Sequence, residues 1–422
     1  MREVLQTAGV SSLYVADSPK GREAGSVLFG QWGLSPTTVP LESRSDCASL
    51  AESLAGGGNS LVICPPGLVP DLLEALKAPA TGAPRPEDLY SVVRRPGGVE
   101  LERSKFGFLA TGERLSVEGP VNERYDLSAV AVFGNDLIVG ADEQASVQVL
   151  ESNLSGSAYR AGAIWALTAE GEVDIEGLAL RRRELFVLGS HSLRRRNVDF
   201  RGDKSWSRGY SKNRKRFLAS EIRRESSRDR IYRMTLTEEG KPSQLSSINL
   251  RELLVNHPIL SPYASLPSKE NGIDIEGLAC HGERLYLGFR GPIFRSGFVP
   301  VLRLRYHAPE DNELSFVNLA GRGIRDLVEV DDGFLMLAGP VGDSTLSYQL
   351  YHWDGLDCLP GRRAEGAEAT GRVTLLGNIP TPSGGKAEGL AVLEASPESY
   401  RVLVVFDGVE DGAMTVFEVP RL

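Results

Sequence analysis

The chain writes Asp174-Ile175-Glu176-Gly177-Leu178-Ala179 and repeats it unchanged, one hundred residues on, as Asp274-Ile275-Glu276-Gly277-Leu278-Ala279. A degenerate copy follows as Lys386-Ala387-Glu388-Gly389-Leu390-Ala391. Each copy leads into a strand-forming run: Leu185-Phe186-Val187-Leu188, Leu285-Tyr286-Leu287-Gly288-Phe289 and Val402-Leu403-Val404-Val405-Phe406. One supersecondary unit reused at long intervals is the mark of radial β repetition, with the inner strands of successive blades facing one axis. Such a ring would bring acidic side chains from separate repeats together at that axis.

Further inner-strand starts read at Ser128-Ala129-Val130-Ala131 and Ile324-Arg325-Asp326-Leu327. Turn residues at Gly134-Asn135-Asp136, Gly282-Glu283 and Asp331-Asp332-Gly333 sit between strand-like runs, as hairpins require. The gap of 100 between the exact copies is twice the 50 residues separating Asp274 from Ile324. It therefore predicts one more repeat, near Arg230 to Leu250, and a mainly β, six-bladed propeller. A seventh blade follows if Phe106 to Val117 supplies more than a closing strand.

The first 95 residues read differently. Strands are expected at Ser12–Ala16, Ser26–Gly30 and Asn59–Cys64, with helices from Asp46 to Leu54, capped by Ser45 or Asp46, and from Val69 to Leu76. That alternation predicts a small α/β domain over 1–95. Pro79, Gly82, Pro84 and Pro86 follow as a linker, and the propeller occupies 96–422.

Of the 422 residues, 41% are hydrophobic and 24% charged, the balance of a soluble globular chain. No run is apolar for the ~18 residues of a membrane span. Met1-Arg2-Glu3-Val4-Leu5 opens no apolar signal core, so a cytoplasmic location is expected. Cys47, Cys64, Cys280 and Cys358 lack Cys-x-x-Cys spacing, which predicts incidental thiols rather than a zinc site. The net charge is −9, unevenly placed. Arg181 to Arg233 holds 18 Lys/Arg against 6 Asp/Glu, a local excess of +12 that leaves −21 on the remainder.

An ordered set of motifs adds a resemblance. Leu137-Ile138-Val139-Gly140-Ala141-Asp142-Glu143, the two Asp-Ile-Glu-Gly-Leu-Ala copies, Gly189-Ser190-His191-Ser192, Gly288-Phe289-Arg290-Gly291-Pro292 and Gly321-Arg322-Gly323-Ile324-Arg325-Asp326-Leu327 together resemble the bacterial family called domain of unknown function 3616. That family is distantly similar to the esterase-like phytase propellers. The resemblance spans about residues 120–420, implies a β-propeller and supplies no reaction. In such proteins the His-Ser motif leads through a basic segment into the next strand. Here that segment is long, an insertion at about 193–230.

Three constellations are candidates for chemistry. The carboxylates Asp174, Glu176, Asp274, Glu276 and Glu388, with Asp142, Glu143 and Asp326 beside them, suit oxygen ligation of calcium or magnesium if their strands line one channel. The alternative is that they cap strand ends or pair with arginines. His191, Arg290, Arg322 and Arg325 offer an imidazole and guanidinium forks for a small anion. The alternative there is a charge-balanced ladder, and His191 as a turn residue. In the insertion, Arg194, Arg195, Arg196, Trp206, Tyr210, Lys212, Arg214, Lys215 and Arg216 interleave basic and aromatic side chains for partner binding.

No Gly-x-Ser-x-Gly elbow, His-Glu-x-x-His pair or phosphate loop is present. The leading expectation is a non-catalytic binding or regulatory protein that contacts protein partners in a bacterial signalling or defence assembly, its channel holding a cation or small anion. The alternative is a metal-assisted phosphoester or ester hydrolase in the channel, with His191 as acid or base. Nucleic-acid binding through the insertion ranks third, since the acidic remainder would repel phosphates.

Overall fold

The computed structural model describes residues 10–18, 22, 35–54, 59–78, 88–95, 98–105, 109, 113–153, 158–169, 171–195, 207–342, 346–360 and 371–421. The chain divides into two compact units after Gly107.

In the first unit, the parallel strands Pro36–Val39, Val10–Ala16 and Asn59–Ile63 lie in that order. Helices Arg44–Ser53 and Val69–Ala75 accompany them. Two or three residues before the expected cap at Ser45 or Asp46, the first helix is capped by Ser43. Its hydroxyl accepts from the Asp46 amide while the Asp46 carboxylate accepts from the Ser43 amide. Leu13, Val15, Cys47, Leu50 and Leu72 are buried in this unit. An antiparallel hairpin, Asp88–Arg95 with Gly98–Lys105, completes it. The strand expected at 26–30 lies outside the described residues. All four cysteines are free thiols.

The second unit is a propeller of five blades, not six. The first blade runs Leu127–Phe133, Asp136–Ala141, Ser146–Ser152 and Ala158–Ala166, with Ser116–Glu118 parallel at its outer edge. The second is Ile175–Arg181, Glu184–Gly189, Arg230–Leu236 and Pro242–Asn249; the third is Asp274–His281, Arg284–Gly291, Phe298–Arg305 and Ala308–Asn318. The fourth comprises Gly323–Val330, Gly333–Gly339, Gln349–Trp353 and Val373–Asn378. The fifth holds Lys386–Ala395, Ser399–Asp407 and Thr415–Pro420, and Arg114 bridges Thr415 from the other end of the propeller sequence to close the ring. The five inner strands neighbour one another in sequence order, and the last neighbours the first.

The missing blade has a physical reason. Arg230–Leu236 pairs with Glu184–Gly189, and Pro242–Asn249 pairs with it in turn, so both complete the blade that Ile175 opens. The 100-residue interval arises from connections within and after that blade, not from another repeat. Inter-blade cores then hold the ring. Val130, Leu137 and Leu150 pack with Leu403, Val405 and Met414 between the fifth and first blades. Ala129, Ile138 and Val147 pack with Ile175, Val187 and Tyr232 between the first and second. No helix among the described residues is long and apolar enough to cross a membrane.

Candidate metal centre in the propeller channel

Every inner strand carries one irregularity at the same place. Pairing with the second strand skips Ser128, Glu176, Glu276, Arg325 and Glu388, one residue per blade. A bulge leaves its extra residue unpaired and re-aims the side chain. In a closed ring of inner strands, five such residues form a collar, and its members touch. Arg325 reaches Glu276 of the third blade at 2.8 Å and also pairs with Glu388 of the fifth. The Ser128 hydroxyl donates to the carbonyl of Ile175 on the second blade. In the second, third and fifth blades a glycine follows the bulge and lets the next blade approach closely. A Cβ on Gly177 would lie 2.8 Å from the Glu276 carbonyl oxygen, and one on Gly277 would lie 2.9 Å from Ile324 Cγ2.

Around the collar, acids outnumber cations. Arg290 pairs with Asp274 and, at 2.6 Å, with Glu276. Arg228, from the short turn before the third strand of its blade, pairs with Asp174 and Glu172. Lys386 pairs with Asp407. Asp142 and Glu176 have no ion pair among the described residues. Two groups of carboxylates place one oxygen each within 4.8 Å of one another: Glu176 with Asp274 and Glu276, and Asp142 with Glu388 and Asp407. Each group thus contains one acid without a cation, and an Asp142 Oδ1 buried without a hydrogen-bond partner.

Burial and like charge hold these carboxyls toward protonation. Burial, then Glu276, Asp142 and other acids push Glu176 well above the ordinary carboxylate range. Burial followed by Glu388 does the same to Asp142. Asp174 rises to about 6, burial outweighing Arg228. Glu276 rises to about 8, burial outweighing Arg290 and Arg325. A divalent cation would relieve this repulsion.

The five carboxylates expected to ligate metal are divided between these arrangements. Glu176, Asp274 and Glu276 form one group, Glu388 belongs to the other, and Asp174 is paired with Arg228 and sits in the left-handed region at φ 57°. Asp326 is structural: its carboxylate accepts from the amides of Leu327 and Leu390, both at 2.7 Å, tying the fourth blade to the fifth. Glu143 is exposed.

The expected anion-binding set does not form one cluster. Arg290 and Arg325 share Glu276 and act as a charge ladder. Arg322 instead donates from Nε to the Ser347 carbonyl at 2.7 Å. His191 is 1% exposed, with Nδ1 2.6 Å from the Gly189 carbonyl, and burial lowers its pKa. It is a buried turn residue at φ 53°.

In the insertion, Arg194–Arg195 pairs with Ile222–Arg223 as a short ribbon. Arg194 pairs with Glu225, and Arg195 grips Glu270 with two nitrogens. Tyr210, Lys212, Arg214, Lys215 and Arg216 lie on the helix Tyr210–Leu218, none of whose residues is buried. Arg196 and Trp206 lie outside the described residues.

Residue-by-residue reading missed Arg228, Lys386 and Asp407. A signal existed for Asp407: Ala141-Asp142, Phe289-Arg290 and Phe406-Asp407 all end the second strand of a blade with a charge. Arg228 gave none, being one arginine among many in the insertion.

Fold and channel together define a five-bladed β-propeller with an acid-rich collar. The family model described as "Protein of unknown function (DUF3616)" matches residues 126–415, and the chain belongs to that family. No curated protein matches the chain. Among solved structures it is similar to the glutaminyl cyclase of Myxococcus xanthus, at 12% identity and a TM-score of 0.37, over 74% of this chain and 95% of that one. It is also similar to the periplasmic gluconolactonase of Pseudomonas aeruginosa, at 16% identity and a TM-score of 0.30, over 79% and 82%. A third is an exo-β-1,3-galactanase of Phanerochaete chrysosporium, at 9% identity and a TM-score of 0.37, over 74% and 64%. No activity follows from similarity at this level.

Proposed function

We propose that the protein is a cation-dependent binding propeller, its channel holding calcium or magnesium and its insertion contacting a protein partner. The observation that carries the first part is the collar's charge. Among the described residues, Asp142, Asp174, Glu176, Asp274, Glu276, Glu388 and Asp407 are set against only Arg228, Arg290, Arg325 and Lys386. Hard divalent cations take oxygen ligands, and Glu176 and Asp142 remain free to supply them. Elemental analysis of purified protein and melting with calcium, magnesium or chelator test this. Bound metal, or a rise in melting temperature with either ion, supports it; neither result overturns it.

The second part rests on the helix Tyr210–Leu218. Its basic side chains, with Tyr210 81% and Leu218 64% exposed, leave it a face suited to an acidic protein surface. Deleting all of 193–230 would also remove Arg228, which pairs with Asp174, so the deletion is confined to 207–221. A pull-down that loses no partner on that deletion contradicts this part.

One observation favours a hydrolytic reading. Asp174, at about 6, is poised to exchange protons near neutrality and is hydrogen-bonded to Ser190. A phosphatase and esterase screen with and without chelator decides it, and metal-dependent turnover abolished by Asp174→Asn would move the protein into that class.

A further inference from the structure

Away from the channel, a cavity of about 700 Å³ opens between the outer strands of the second blade, the residues Leu167, Thr168 and Gly171, and the turn 224–227. Its volume lies in the range of small-molecule sites. Four serines line it, Ser226, Ser227, Ser246 and Ser247, together with Arg224, Arg230 and one acid, Glu225, which is paired with Arg194. Leu167, Tyr232 and Leu245 add apolar wall.

The two arginines differ. Arg224 is neutralised by Asp229 at 2.5 Å. Arg230 has no carboxylate within ion-pair distance among the described residues; its Nη1 donates to the Ser247 hydroxyl at 2.9 Å. It is partly buried at the start of the third strand. Elsewhere in this blade Arg181, Arg194, Arg228 and Arg233 each meet an acid. A fork held open in a hydroxyl-lined cavity suits a dianion with several acceptor oxygens. The cavity is far larger than phosphate alone, and its apolar wall would take an organic group. We propose that this cavity is a binding site for a small phosphomonoester, with Arg230 gripping the phosphate beside the Ser247 hydroxyl, while the hydroxyls of Ser227 and Ser246 bond the Glu172 carbonyl and Tyr306.

The test is calorimetric titration of the full chain with ribose 5-phosphate and AMP, against ribose, adenosine and inorganic phosphate. A phosphomonoester should bind at least about tenfold more tightly than its unphosphorylated counterpart, through charge-assisted hydrogen bonds to Arg230, and than inorganic phosphate, through its organic group against the apolar wall. Arg230→Gln should abolish that preference, and Arg230→Lys should retain part of it. Glu176→Gln, in the channel, should leave it unchanged, which separates this site from the cation site. Equal binding of ribose and ribose 5-phosphate, binding of inorganic phosphate alone, or no binding of any probe at millimolar concentration would overturn the proposal. These comparisons use the unaltered protein, so they hold even if an Arg230 variant fails to fold.

Discussion

The hexapeptide Asp-Ile-Glu-Gly-Leu-Ala occupies neighbouring blades at 174–179 and 274–279, yet its two glutamates live in opposite electrostatic surroundings. Glu276 is 1% exposed and clamped between Arg290 and Arg325. Glu176, at the same bulge one blade earlier, has no ion pair among the described residues, feels Arg228, Arg290 and Arg325 only at longer range, and is raised by burial and then by Glu276, Asp142, Asp174 and Asp274. The second strand decides the difference. Near its end Arg290 pairs with Glu276, whereas at the matching position one blade earlier Ser190, just past the strand, brings no charge and bonds Asp174. Identical local sequence therefore builds the same bulge at Glu176 and Glu276, although Asp174 is left-handed where Asp274 is extended, while the neighbours decide whether a carboxylate serves the ring's stability or remains available for a ligand.

The largest break in this comparison comes from the clamp. Arg325→Met leaves Glu276 and Glu388 buried without their shared guanidinium, and urea unfolding should show a loss of about 3–5 kcal/mol. Glu176→Gln removes a carboxylate for which burial and acidic neighbours outweigh the longer-range attraction of Arg228, Arg290 and Arg325. It should leave the metal-free protein at least as stable and erase the rise in melting temperature that calcium or magnesium gives.

A next effect comes from pH. Asp174, raised to about 6, and Glu276, raised to about 8, bind protons more readily in the folded state than in the unfolded chain. Their contribution to stability is full below the ordinary carboxylate range and is lost as pH rises through about 6 and then about 8. Melting of metal-free protein should therefore fall across that window. Stabilisation by the cation should grow across it, because ligation needs the ionised form.

Smaller still is the cost of filling the bulge contacts. Gly177→Ala and Gly277→Ala should each destabilise by about 1–3 kcal/mol, because Cβ atoms would press on the next blade. Neutralising Lys212, Lys215 and Arg216 on the exposed helix should shift stability by no more than about 0.5 kcal/mol, while weakening capture of the partner.

Much of the ring was legible because its inner strands reuse one phrase whose acids and glycine answer the same geometric need. The blade count was not. Strand length and pattern at Arg230–Leu236 are those of any blade strand, and only its pairing with Glu184–Gly189 reveals that it continues an existing sheet. Arg322 and Arg325 looked equivalent in Gly-Arg-Gly-Ile-Arg-Asp, yet only Arg325 falls on the bulge and enters the collar. Arg228 lies 54 residues from the aspartate it neutralises, a pairing that no local pattern encodes.

Calorimetric titration of calcium and magnesium into chelator-treated protein, run in parallel on Glu176→Gln and on the unaltered chain, tests the central claim most directly. Saturable binding by the unaltered chain that disappears in Glu176→Gln is the predicted result. Binding that survives the substitution, or no heat from either ion in the unaltered chain, would contradict the assignment of the unpaired carboxylates to a cation.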